Sequence, residues 1–262
     1  MKKGLFLLAV TVLLSIAGLA QAAEGELGVT LDVTYVSSYL WRGFDCYPDD
    51  HSGIQPRVNL DLYGSGFGVT VFSSRANSSG FENGEELDYT VYYNNSFFDG
   101  ESYVMNYTVG WTYYQYPDQP KEAANAQEVF AAFSWPGLFD CGVVPSYTVV
   151  KMWPAVSDSA LAEQLSGWAH IFGLGYDVTC PATNQVFHLS ADFVYNDGVG
   201  PCPNAGQTVD SDWSHAVFGI STGFALCENL TFTPAFYYQS SWDDSVNSQD
   251  EAWTSLSMTY KF

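Results

Sequence analysis

Along most of this chain apolar and polar residues take turns, with the period of two that a β-strand imposes by pointing successive side chains to opposite faces. The alternation is clearest at the C-terminus, where Leu256, Met258, Tyr260 and Phe262 interleave with Ser255, Ser257, Thr259 and Lys261. Reading such segments between turn residues predicts about twelve strands. The first spans Leu27 to Phe44, with Val29, Leu31, Val33 and Tyr35 on one face and Thr30, Asp32 and Thr34 on the other. The next three cover Gly53 to Gly64, Phe67 to Ala76 and Glu85 to Asn95. The fifth, Ser102 to Gln115, sets Tyr103, Met105, Tyr107, Val109, Trp111 and Tyr113 against Asn106, Thr108, Gly110 and Thr112. Six more run over Gln127 to Trp135, Phe139 to Trp153, Leu165 to Val178, Gln185 to Asn196, Trp213 to Leu226 and Leu230 to Ser241, ahead of the closing strand. Pro145 and Pro234 fall inside two of them. A proline has no N–H to give a ladder, so bulges or strained registers are expected at both.

The connections say more than any one strand. Links after even-numbered strands are short, as at Gly64-Ser65-Gly66, Pro136-Gly137-Leu138 and Cys227-Glu228-Asn229. Links after odd-numbered strands are mostly longer and acidic, as at Asp45 to Ser52, Tyr116 to Ala126 and Asp197 to Asp212. This sorting, with both termini on the short-link side, predicts an all-β fold: a transmembrane antiparallel up-and-down β-barrel with short periplasmic turns and longer acidic extracellular loops. Apolar edges would then face lipid and polar edges the lumen. A soluble sandwich is the competing reading of any single strand, but Greek-key crossings give no reason to sort loops by length. Gly173, Gly175, Gly219 and Gly223 fall on the less apolar faces, where a missing side chain would leave room in a narrow lumen.

The N-terminus divides the chain. Lys2 and Lys3 precede the apolar run Leu5 to Leu19, and Ala20-Gln21-Ala22 fits a small-residue cleavage site. Residues 1–22 therefore read as a secretory signal peptide and residues 23–262 as the barrel. No later apolar run reaches the ~20 residues a membrane helix needs. All 29 acidic residues but only six of the eight Lys and Arg lie beyond the cut. Such a charge makes nucleic acid an implausible partner. It could suggest disorder, but 47% hydrophobic and 17% aromatic residues argue for an ordered, strand-rich chain. Five cysteines in an exported chain suggest oxidised pairs with one thiol left over. Cys46 and Cys202 would lie in outer loops, and Cys141, Cys180 and Cys227 near inner turns. No CxxC or Cys/His cluster points to a metal, and no cofactor is expected.

Several segments carry a resemblance to known proteins. Tyr39-Leu40-Trp41-Arg42-Gly43-Phe44, then Gln55-Pro56 and the hairpin around Gly66-Phe67-Gly68, resemble the opening of the TorF-type porins, a proteobacterial family of outer-membrane β-barrels. Glu86-Leu87-Asp88-Tyr89 and Gly110-Trp111-Thr112-Tyr113-Tyr114-Gln115-Tyr116-Pro117 extend the likeness over about the first half of the mature chain. The closing strand, ending on Phe262, is similar to the last strand of such barrels, and Leu256, Met258, Tyr260 and Phe262 are its membrane-assembly face. The resemblance implies the bacterial outer membrane as location, with its lipid, lipopolysaccharide and barrel-assembly machinery as partners. It implies porin activity. The five cysteines and heavily acidic loops depart from the family.

Candidate chemistry follows from strand parity, which turns Arg42, Arg57, Asp32, Asp61, Asp88 and Asp192 inward, with His188 beside Ser190 and Asp192 as further lumen lining. Opposite charges across a lumen select solutes by charge. Alternatively they pair and seal the interior, with Arg42 clasping a lumen carboxylate. These residues predict a passive channel for small cationic or neutral solutes. The alternative is a closed structural or adhesive barrel whose acidic loop residues, such as Asp49, Asp50, Glu82, Glu85, Asp243 and Asp244, attract cations or bridge to lipopolysaccharide through Ca²⁺. A plain solvated, repulsive surface accounts for these residues as well. A lipid-acting barrel enzyme would need a Ser-His pair on the lipid face. His170 shares the parity of Phe172 and Leu174, but no nucleophile motif surrounds a serine, and no enzymatic function is expected.

Overall fold

The computed structural model describes residues 25–49, 51–157, 159, 162–201 and 208–262. The expected signal peptide, Asp50 and Cys202 lie outside them. In chain order, β1 is Gly28–Val36, β2 Leu40–Trp41, β3 Phe44–Asp45, β4 Gly53–Asp61, β5 Phe67–Ala76, β6 Glu86–Phe97, β7 Met105–Gln115 and β8 Ala126–Ser134. There follow β9 Val144–Pro154, β10 Gly167–Thr179, β11 Val186–Asp197, β12 Ser211–Ser221, β13 Phe224–Cys227, β14 Leu230–Ser241 and β15 Glu251–Lys261. All but β2 and β3 belong to one antiparallel sheet in which each strand pairs with its neighbours in sequence, and β15 returns to pair with β1. With β12 and β13 counted as two parts of one strand, the sheet is a closed twelve-stranded up-and-down barrel.

Closure matters because a membrane core offers no water to an unpaired strand edge. The seam sets Leu31 opposite Tyr260, Val33 opposite Met258 and Asp32 opposite Thr259, so apolar side chains meet on the outside and polar ones inside. The same division runs around the barrel. Val33, Val58, Val91, Val109, Trp111, Val129, Leu174 and Leu256 stand exposed on the outer face. Aromatic rings gather at both rims, as membrane interfaces favour. Phe67, Tyr93, Tyr107 and Phe97 touch in series near the short turns, and the Lys151 ammonium lies 5.3 Å from the Trp168 ring centroid near the long loops.

Some expectations need correcting. The first strand ends at Val36, and the chain folds back as the β2–β3 hairpin where continuous strand to Phe44 was expected. The strand expected from Phe139 starts at Val144, because Phe139 and Gly142 close a turn, Gly142 N donating to Phe139 O at 3.0 Å. Neither proline shifts its register. Pro145 faces Leu174 within an unbroken pairing, and Pro234 lies opposite Thr222, whose N still donates to its carbonyl at 3.2 Å, where β12 passes into β13. The bulges lie elsewhere, at Val194/Tyr195 and between Ala225 and Cys227. Cys46, Cys141, Cys180 and Cys227 are free thiols, so the expected disulfides do not form among the described residues. The last three sit at successive short turns, two strands apart around the rim, and a spacing of about 10 Å exceeds the roughly 7 Å that a disulfide spans.

Burial is lopsided along the barrel axis. The buried apolar residues, among them Val36, Tyr47, Tyr116, Val150, Met152, Leu165, Val199 and Val246, cluster at the long-loop end. The interior toward the short turns is lined by polar groups such as Asn59, Asn94, Asn106 and Thr108.

The alternation makes neighbouring residues unequal. Val109→Arg should lower unfolding stability in lipid vesicles by about 2–4 kcal/mol, the cost of a cation near the bilayer midplane. Thr108→Arg, one residue away on the lumen face, should change it by about 0.5 kcal/mol. Equal losses in urea titrations of the two variants would be incompatible with hydrocarbon against Val109.

Candidate functional site

The β2–β3 hairpin enters the long-loop end of the lumen. Its two-residue turn places Arg42 at φ 49° and Gly43 at φ 93°, the doubly positive geometry of a tight hairpin turn. Glycine at the second position is also demanded by space. A Cβ there would stand 2.6 Å from His215 Nδ1 and 2.7 Å from Val246 Cγ1. Behind the tip, Trp41 packs against three apolar clusters formed by the described residues, built around Tyr114 and Met152, around Tyr39 and Tyr47, and around Phe44 and Val209. Its ring meets Tyr114 edge-on at 5.8 Å.

Polar contacts fix the hairpin to walls far apart in the sequence. Arg42 Nη2 donates to Glu128 Oε2 on β8 at 2.7 Å, both side chains being largely buried, and the guanidinium lies 4.5 Å from the Trp41 ring centroid. Gln239 Nε2 on β14 donates to the Gly43 carbonyl at 2.9 Å. The Tyr39 hydroxyl donates to Glu86 Oε1 on β6, and Tyr116 Oη to Glu86 Oε2 at 3.0 Å. Tyr47 Oη donates to Ser74 Oγ on β5 at 3.0 Å. Burial, reinforced by the Glu86 carboxylate, raises the Tyr39 phenol well above its ordinary range, which keeps it a donor at neutral pH. The carboxylates that hold the hairpin are thus Glu86 and Glu128.

Beneath the hairpin, register places Asp32, Arg57, Phe72, Asp88 and Tyr114 in one row across β1, β4, β5, β6 and β7. Asp32 accepts from Thr34 at 2.8 Å, from Thr259 at 2.7 Å and from Ser257. The Arg57 guanidinium lies 5.3 Å from the Phe72 ring centroid. Among the described residues it has no ion pair. Asp88 is buried, and among the described residues its Oδ1 finds no hydrogen-bond donor. Two cavities meet at Arg57 and Phe72. One, of about 450 Å³, runs along Asp32, Thr34, Thr233, Tyr237 and Ser257. The other, of about 360 Å³, lies between Trp41, Asp88, Thr112 and Tyr114.

The remaining predicted residues are dispersed. Asp61 shares the lumen face of Arg57 but stands at the short-turn rim, accepting Gly64 N at 2.8 Å. Asp192 leans into the gap over Gly173, where a Cβ would come within 2.7 Å of its Oδ1. His188 faces the lumen and pairs with Asp177 at 2.6 Å rather than with Ser190 or Asp192. His170 is on the outer face, where its Nδ1 and the Tyr147 hydroxyl are 2.7 Å apart. Several acidic loop residues are occupied locally. Glu85 pairs with Arg75 at 2.8 Å, and Asp243 accepts Ser245 N at 2.8 Å. Glu82 accepts Gly80 N at 3.0 Å, and backbone N–H donors hold its carboxyl below the usual range. Among the described residues no group of three His, Cys, Asp or Glu is arranged to hold a metal.

Sequence parity did not single out Glu86 and Glu128. The available signal was position: Glu86 shares the face of Asp88, and Glu128 sits on the face opposite Val129, each at the end of a strand that opens into the long loops.

Arg42→Ala would strand Glu128 in a buried site, at a cost of about 3–5 kcal/mol. The expected result is faster proteolysis within 39–47 while the barrel itself stays protected. Glu128→Gln in the same chain should restore part of the protection. Unchanged cleavage in Arg42→Ala would show that the pair does not hold the hairpin.

The fold is similar to that of the NanC porin, with a TM-score of 0.54 over 89% of this chain and 100% of that one, at 9% identity. It is also similar to an outer-membrane channel from Pseudomonas putida F1, with a TM-score of 0.48 over 92% and 96% of the two chains, at 11% identity. No curated protein matches the sequence significantly. Residues 20–163, more than half of the chain and the part that includes the hairpin, Glu86, Asp88 and Glu128, match the family described as bacterial protein of unknown function (Gcw_chp), and the chain belongs to that family.

Proposed function

We propose that this protein is a bacterial outer-membrane channel for small cationic or neutral solutes, shut at its extracellular end by the β2–β3 hairpin and conducting when that hairpin withdraws. The observation that carries this reading is a polar lumen with two meeting cavities of about 450 and 360 Å³ beneath a closure made of loop, not of barrel wall. A barrel with a purely mechanical task gains nothing from keeping such space, whereas a narrow pore needs it. The resemblance to TorF-type porins points the same way. An inner surface with Asp32, Asp88, Glu86, Glu128 and Asp192 against Arg42 and Arg57 favours cations over anions. In this reading the long acidic loops face outward among lipopolysaccharide, and the closing strand is handled by the barrel-assembly machinery.

A second reading, a permanently closed structural barrel, draws on one specific observation: Trp41 ties three apolar clusters together across the lumen.

Planar-bilayer recording separates the two. The intact protein should give rare or small openings, and replacing 40–45 by a short Gly-Ser link should give a steady conductance at least about tenfold larger, with cation preference reduced by Asp88→Asn. A folded hairpin-free barrel that carries no current would reject the channel and leave the closed barrel standing.

A further inference from the structure

We propose that the cavity of about 360 Å³ beneath the hairpin is a binding subsite for a free α-amino acid with an apolar side chain, its carboxylate held by Arg57 and its ammonium group by Asp88. This deepens the channel reading by naming its solute class, and it rests on that reading for the solute's passage. Binding itself needs only access to the lumen.

Arg57 and Asp88 are each register partners of Phe72, so they flank one residue on the lumen wall. With strands about 4.8 Å apart their Cα atoms stand about 10 Å from each other, a distance that a long arginine and a small dipolar solute bridge. Each offers an unused valence. The guanidinium lies over the Phe72 ring at 5.3 Å with no ion pair among the described residues, leaving its fork of donors for a carboxylate. Asp88 is more than nine-tenths buried, lines the cavity, and among the described residues its Oδ1 has no donor. Buried acceptors are rarely left so, and an orphan of this kind calls for a ligand that brings a donor.

The neighbouring groups are already spent. Glu86 is held by two tyrosines and Glu128 by Arg42. Thr90 and Thr112 share a hydrogen bond of 3.0 Å, and Gln55 donates to Ser74 at 3.2 Å. Among the described residues one guanidinium donor and one unpartnered carboxyl group therefore remain in a single small cavity, which suits a dipolar ligand better than a simple ion. The rest of the wall, Trp41, Phe72 and Tyr114, offers apolar area and ring faces that attract an ammonium group. The volume falls at the small end of ligand pockets, which span about 300–1,000 Å³.

Calorimetric titration of the refolded full-length chain in detergent tests this, with L-phenylalanine as the probe. 2-Phenylethylamine lacks the carboxylate and 3-phenylpropanoate lacks the amine. Phenylalanine should bind saturably and each analogue at least about tenfold more weakly, as loss of one charged hydrogen bond entails. Arg57→Gln should bring phenylalanine down to the level of phenylethylamine, and Asp88→Asn to that of phenylpropanoate. Should the buried Asp88→Asn fail to fold, the exposed Arg57→Gln carries the test alone. Absence of phenylalanine binding, phenylethylamine binding as tightly as phenylalanine, or full discrimination surviving in Arg57→Gln would each overturn the proposal. Conductance and binding fail separately: current without binding removes this subsite, and binding without current removes only the channel.

Discussion

Hydrogen bonding of the backbone in a medium without water is the constraint on which everything else here depends. A sheet can satisfy it only by leaving no edge, and the β1–β15 seam does so. Once the sheet is closed, every strand has one face outside and one inside, and the period-two pattern decides which side chains meet hydrocarbon. The register then aligns lumen residues in rows around the wall. Asp32, Arg57 and Asp88 come to one level because they share a row, although they are distant in sequence.

The interior obeys a different rule at each end. Toward the short turns it is a polar vestibule, while toward the long loops it is packed like the core of a soluble domain, with Trp41 at the junction of its clusters. The carboxylates of Glu86 and Glu128 are tolerated there because tyrosine hydroxyls and a guanidinium reach them. Just below, the same strand carries Asp88 without such a partner. A satisfied carboxylate and an unsatisfied one, two residues apart on β6, mark the boundary between what holds the hairpin and what faces the cavity.

Much of this was legible from the chain alone. Strand number, sidedness and the short-link/long-link rhythm follow from local pattern, because in a barrel each strand pairs with its neighbours in sequence and little depends on distant segments. Leu230–Ser241 and Phe67–Ala76 have the bounds that alternation predicts. The inward hairpin was not legible, since Tyr39 and Trp41 on the apolar parity and Arg42 on the polar one continue the alternation of β1 well enough to pass for strand. Only Gly43, after an arginine forced to positive φ, betrays the turn. Arg42 was assigned to the lumen by parity and reaches it by another route, from a loop. Partner identities stayed hidden for the same reason: that Arg42 finds Glu128 and His188 finds Asp177 depends on a loop trajectory and on rotamers, neither of which periodicity encodes.

The hairpin also acts as a strut. It is anchored to β5, β6, β8 and β14, so it braces the cylinder from within against flattening, a mode to which a thin-walled tube with few internal contacts is otherwise soft. Its grip on Gln239 cannot form until β14 has joined the wall. The first loop of the sequence is therefore fully seated only once the last strands are in place, so the strut sets together with the closed wall and not before it.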